Sequence, residues 1–154
     1  MSSLKEKYEQ LRAGYPETMR SSLVLPLLQF AQEQRGYVVE EDAAAIAECA
    51  GVPTMQVKEA MTWYSMLSLE PRGRHVVKVC RNISCSLRGC ERIVSHLEQK
   101  LGIAVGETTA DRRFTLLEVE CLAACDAAPV IQINDTHHDR VSEAAVDRIL
   151  GDLA

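Results

Sequence analysis

The chain predicts an α+β architecture: a small N-terminal helical bundle over 1–71, followed by a compact α/β domain over 72–154. Two observations predict the split. Apolar residues recur at helical spacing up to about residue 64, and beyond Pro71 the pattern alternates between strand and helix. A third concerns cysteine: Cys80-x4-Cys85 and Cys121-x3-Cys125 each follow a β-prone apolar run, VVKV and LLEV, with thirty-five residues between the pairs. Two neighbouring strand ends would present all four sulfurs at one edge of a sheet.

In the first segment, Leu23, Leu27, Phe30 and Ala31 share one helical face, Ala43, Ile46, Ala47 and Ala50 a second, and Val57, Ala60, Met61 and Tyr64 a third. Gly36 and Gly51 stand where helix C-caps belong, and Pro53 suits the start of the next helix. Pro26 is tolerable only in a first helical turn, so Ser21 or Ser22 is expected to open that helix. Cys49 lies beside an apolar stripe and reads as a small buried hydrophobe. Trp63 and Tyr64 read as packing residues rather than as a cofactor box.

In the second segment, strands are expected over 75–79, 114–119 and 130–133, with helices over 89–101 and 142–150. Asn134-Asp135 supplies turn residues for a hairpin into 136–141. The order β-α-β-β-α with a short crossover describes a domain of the thioredoxin type. Cys90 falls on one helical stripe with Ile93, Val94, Leu97 and Leu101, which makes it a core residue. Ala128-Pro129 occupies the place at which such folds carry a cis proline, although only about one X–Pro bond in twenty is cis in folded proteins.

Composition excludes several classes. A chain of 154 residues with 47% hydrophobic content buries a core without disulfide staples. The longest apolar run, 23–28, contains a proline and is too short to span a bilayer. The opening MSSLKEKYEQLR reads as amphipathic and partly acidic rather than as a signal or transit segment, so a cytosolic setting with reduced thiols is expected. A formal charge of −5 argues against nucleic acid.

Four thiolates in reducing surroundings point to a metal centre. The x4 and x3 spacings suit a centre of two irons and bridging sulfides. Zinc remains a competitor, although its loops more typically use Cys-x2-Cys knuckles. Redox thiols are a third reading, weakened because no Cys-x-x-Cys opens a helix.

Four stretches in order, RSSLVLPLLQFAQEQRGYV, VKEAMTWYSML, VCRNISCSLRGCERIVSHLEQKLGI and VECLAACDAAPVIQIND, resemble the thioredoxin-like [2Fe–2S] ferredoxin subunits of the NADH-dehydrogenase module of respiratory complex I. The same family serves the diaphorase parts of NAD-linked hydrogenases and formate dehydrogenases. The resemblance implies a [2Fe–2S] cluster on Cys80, Cys85, Cys121 and Cys125, with no catalytic side chain in this chain. It also implies docking on a flavoprotein that binds NADH and FMN, in a multi-subunit complex peripheral to the cytoplasmic face of the membrane, and single-electron exchange with that flavin. A zinc-stabilised interaction module is the alternative of another class. The chain departs from the family at Ala123, where glycine is frequent and alanine would suit a negative φ or a little-strained turn, and at His137-His138, where an aromatic pair is frequent and exposed hairpin residues are expected. Backbone amides over 82–86, together with Arg81 and Arg88, would favour a reduced cluster; Glu118, Glu120 and Asp126 would oppose it.

Overall fold

The computed structural model describes residues 3–153; Met1, Ser2 and Ala154, the ends of the two expected segments, lie outside the described residues. The chain divides into two compact units, Met1–Pro71 and Arg72–Ala154.

The first unit is helical. Helix α1 (Leu4–Arg12) starts at Ser3, whose hydroxyl accepts from the Glu6 amide at 3.2 Å while the Glu6 carboxylate accepts from the Ser3 amide at 2.8 Å. This reciprocal cap satisfies two amides that the helix itself leaves unpaired. A 3₁₀ segment (Glu17–Leu23) then leads into α2 (Val24–Arg35). Pro26 falls in the first turn of α2 as expected, but the N-cap is Leu23 rather than Ser21 or Ser22. The 3₁₀ segment occupies both serines, and its own turns feed the helix without a side-chain cap. Helices α3 (Glu40–Ala50) and α4 (Thr54–Trp63) follow. Gly36 and Gly51 end α2 and α3 with φ of 85° and 67°, the left-handed caps that glycine adopts without strain. Asp42 is buried, pairs with Arg35 and accepts from the Val39 amide at 2.9 Å, closing the start of α3.

Leu23, Leu27, Leu28, Ile46 and Val57 are fully buried at the centre of this bundle. Trp63 is 82% exposed, against expectation. It stands two positions beyond Met61, about 200° around α4 from the stripe that Val57 and Met61 bury.

The second unit is a four-stranded sheet in the order β2-β1-β3-β4. Strands β1 (His75–Cys80) and β2 (Phe114–Val119) run parallel, from His75 beside Phe114 to Cys80 beside Val119. Strand β3 (Ile131–Ile133) pairs antiparallel with β1, and β4 (Thr136–His138) with β3. The final strand is shorter than the expected 136–141, because Arg140 turns to φ 46° and Val141 bonds back to the Pro129 carbonyl at 3.0 Å.

The crossover consists of a short helix α5 (Ile83–Leu87) and a longer α6 (Cys90–Leu101), separated at Gly89 with φ 86°. Helix α7 (Glu143–Asp152) packs beside α6, where Asp147 meets His96 at 3.0 Å and Lys100 at 3.1 Å. The core joins Val77, Val79, Ile93, Leu97, Leu116, Ile131 and Val146. Cys90 belongs to it, as expected, at 3% exposure. Cys49 is only partly buried, at the margin of the other core. The Ala128–Pro129 bond is cis.

Candidate metal centre

Parallel pairing places the ends of β1 and β2 side by side, and the cysteines follow from that. Cys80 is the last residue of β1; Cys121 comes two residues after β2. Cys85 sits at the middle of α5, a short helical turn. Asn82 starts that turn by accepting from the Ile83 amide at 2.8 Å. Cys125 opens a 3₁₀ turn (Cys125–Ala127) that packs against α5, so the segments bearing Cys85 and Cys125 are neighbours.

The two pairs differ in exposure. Cys80 and Cys85 are buried, Cys121 and Cys125 exposed, and all four thiols are free. A group held by the four would be walled by the core on one side and open to solvent on the other. Burial pushes the Cys85 thiol up to about 11, against a hydrogen bond with the Val130 backbone that lowers it; the adjoining Cys80 thiol raises it further. Neutral thiols can be buried cheaply, whereas ionising them in the core requires a cation to compensate.

Backbone and charge are also directed at the site. The Ala123 amide donates to Cys121 Sγ at 3.2 Å. Ala123 adopts φ 57°, so of the two conformations expected for an alanine here the negative φ is not the one taken, and the turn is of the left-handed kind that glycine adopts without strain. Arg81, next to Cys80, lies 3.8 Å from Glu118 and 3.9 Å from Glu120, so the charges expected to oppose one another are paired with each other. His137 is exposed, as expected of a hairpin residue, but its Nε2 sits 3.2 Å from the Leu122 carbonyl inside the second cysteine loop. No sequence signal marks that contact, since fifteen residues separate the partners.

The donor set fits a two-iron centre. Four free thiols on adjoining segments, two of them buried and two exposed, are the donor chemistry that a centre of two irons and bridging sulfides takes.

Comparison with known proteins bears on the same region. The family model described as thioredoxin-like [2Fe–2S] ferredoxin matches residues 8–154. The chain is 40% identical over 148 residues to an E-type NADH-quinone oxidoreductase subunit of Rhizobium meliloti (strain 1021), covering 96% of this chain and 87% of the relative. It is 41% identical over 143 residues to the E-type NADH-quinone oxidoreductase subunit of Rickettsia typhi, covering 92% and 84%. The corresponding subunit of Pseudomonas aeruginosa is 42% identical over 123 residues, covering 80% and 74%. Among solved structures, the NAD+-reducing [NiFe]-hydrogenase in its air-oxidized state superposes with a TM-score of 0.71 at 20% identity. That match covers 82% of this chain and 22% of the hydrogenase chain, and it shows a shared fold.

Proposed function

The chain belongs to the thioredoxin-like [2Fe–2S] ferredoxin family, and on that premise we propose that it is the electron-transfer subunit of an NADH–quinone oxidoreductase, with Cys80, Cys85, Cys121 and Cys125 holding its [2Fe–2S] cluster. The observation that carries the reading is the 40% identity to an E-type subunit of NADH-quinone oxidoreductase, sustained over 96% of the chain. The two strand ends that bring the cysteine-bearing segments together support the ligand assignment. In this reading 72–154 is the ferredoxin domain and 1–71 a helical bundle appended to it.

When bound, the cluster takes up and releases one electron at a time. The chain's own groups govern how easily. Cys80 and Cys85 are held in the core, which excludes water from one side of the site. Cys121 and Cys125 lie at the open side, where a partner can approach. The Ala123 amide at Cys121 Sγ offsets negative charge on sulfur. Catalysis on NADH belongs to a flavoprotein partner carrying FMN, which exchanges single electrons with this chain. Attachment at the cytoplasmic face runs through the complex and requires no span of the chain's own; no helix among the described residues is long and apolar enough to cross a membrane.

Iron, zinc and acid-labile sulfide per chain on anaerobically purified protein test this, with EPR after dithionite reduction. About two irons, about two sulfides and a rhombic S = 1/2 signal are expected. Stoichiometric zinc without sulfide, persisting after reconstitution with iron and sulfide, would overturn the reading. Cys80→Ala and Cys121→Ala should each lose the cluster, since a missing thiolate leaves an open iron site. Cys90→Ala should keep it, because Cys90 is buried in the core as the first residue of α6; loss of the cluster in that variant would refute the ligand set.

A further inference from the structure

One peptide group in the second cysteine loop is held at both ends. Its amide is that of Ala123, which donates to Cys121 Sγ at 3.2 Å. Its carbonyl is that of Leu122, which lies 3.2 Å from His137 Nε2. A carbonyl oxygen only accepts, so Nε2 of His137 carries the proton and donates. The two hydrogen bonds therefore run in series, from imidazole to carbonyl and from amide to sulfur, through one polarisable peptide unit.

We propose that His137 is a positioning residue for the electron-transfer centre: its Nε2–H orients and polarises the Leu122–Ala123 peptide so that the Ala123 amide is directed at Cys121 Sγ and stabilises added negative charge there. The proposal rests on Cys121 being a cluster ligand.

Two physical features make the imidazole necessary. The first is conformational: Ala123 stands at φ 57°, where a residue with a Cβ is strained, so the peptide preceding it needs an external hold. Rotation of that peptide would relieve the alanine and turn the amide away from sulfur. His137 resists this from outside the loop, because β4 is itself paired to β3, with Gln132 facing His137 across the ladder. The second feature is electronic. Donation to a carbonyl increases the partial positive charge on the same peptide's N–H, so the bond to sulfur strengthens with it. Hydrogen bonds to cluster sulfurs raise reduction potential, since the reduced centre carries the additional charge.

The test is the midpoint potential of the cluster in the full chain, read by EPR-monitored redox titration, for wild type, His137→Phe, His137→Asn and His137→Gln. Phenylalanine removes the donor, asparagine is too short to reach, and glutamine can place its amide Nε2 near the imidazole position. Both His137→Phe and His137→Asn should shift to lower potential, with the shape of the rhombic signal altered, and His137→Gln should restore most of the shift. If phenylalanine and asparagine variants lose iron while glutamine keeps it, the bracing role is likewise supported. An unchanged potential in His137→Phe or His137→Asn would overturn the proposal. So would equal shifts in all three variants, or loss of the cluster in all three, which would mean that the imidazole serves the fold generally. Iron and sulfide content of the wild type, measured alongside, reports separately on whether a cluster is present at all.

Discussion

At the scale of single residues, backbone geometry and charge near the cysteines set the properties of the site. Ala123 is the clearest case. A non-glycine residue at φ 57° is strained by about 1–2 kcal/mol, while glycine gives the unfolded chain additional conformational entropy that disfavours folding by about 0.4–1 kcal/mol. Ala123→Gly should therefore stabilise the protein by about 0.5–1 kcal/mol, which chemical denaturation will measure. Arg81 argues from charge instead. It is shared between Glu118 and Glu120, so replacing it removes one positive charge and leaves two carboxylates uncompensated. Arg81→Gln should lower the cluster's midpoint potential, and Glu120→Gln should raise it by less, because Glu120 is 87% exposed and screened by solvent. Redox titration decides both signs.

At the scale of elements, the crossover between β1 and β2 determines where the sulfurs go. Gly89 breaks what would otherwise be one helix from 83 to 101, so that Cys85 rides on a separate turn against the 3₁₀ turn of Cys125 while Cys90 starts the helix that enters the core. At the other end of β1, a Cβ on Gly73 would meet backbone atoms of Phe114 at 2.8 Å, closer than atoms can approach. Gly73→Ala should displace the entry to β1 and lower thermal stability, since backbone cannot move aside as a flexible side chain can. Helices α6 and α7 are joined at the surface by Asp147, whose carboxyl lies below its usual value of 3.8 because Lys100 and then His96 hydrogen-bond to it. A depressed carboxylate contributes stability that is present above the unfolded value and is lost as pH falls through the folded one. Acid titration of wild type and Asp147→Asn should therefore diverge above pH 3.8 and converge below it, with a small amplitude because the group is exposed.

At the scale of the whole molecule, the two units carry separate cores, and substitutions in them should report differently. Leu97 is fully buried beneath the sheet that presents the cysteines. Leu97→Ala should cost about 2–5 kcal/mol and increase cluster loss on warming. Leu28 is equally buried, but within the helical unit. Leu28→Ala should cost a similar amount, melt helical signal, and leave the visible absorption of the cluster unchanged. Parallel thermal scans in the far-ultraviolet and visible ranges distinguish the two.

Much of this was legible in the chain. Period-3.6 apolar faces located α2, α3 and α4, glycine at 36 and 51 marked the ends of the first two, and alternation located β1, β2 and α6, because each of these is a local response to burial on one face. Local pattern also separated Cys90 from the other cysteines, since its helical stripe is a matter of spacing alone. Tertiary structure decided the rest. The parallel pairing of β1 with β2 joins two cysteine pairs that have thirty-five residues between them, and no local propensity encodes which strands pair. The left-handed turn at Ala123 runs against the residue's own preference, so its residue type does not announce it. The bond from His137 to the Leu122 carbonyl spans fifteen residues and depends on where the hairpin lies against the loop. Local sequence determined the elements and the candidate ligands because those depend on near neighbours; the orientation of amides and charges toward sulfur depends on long-range packing, which only the folded chain supplies.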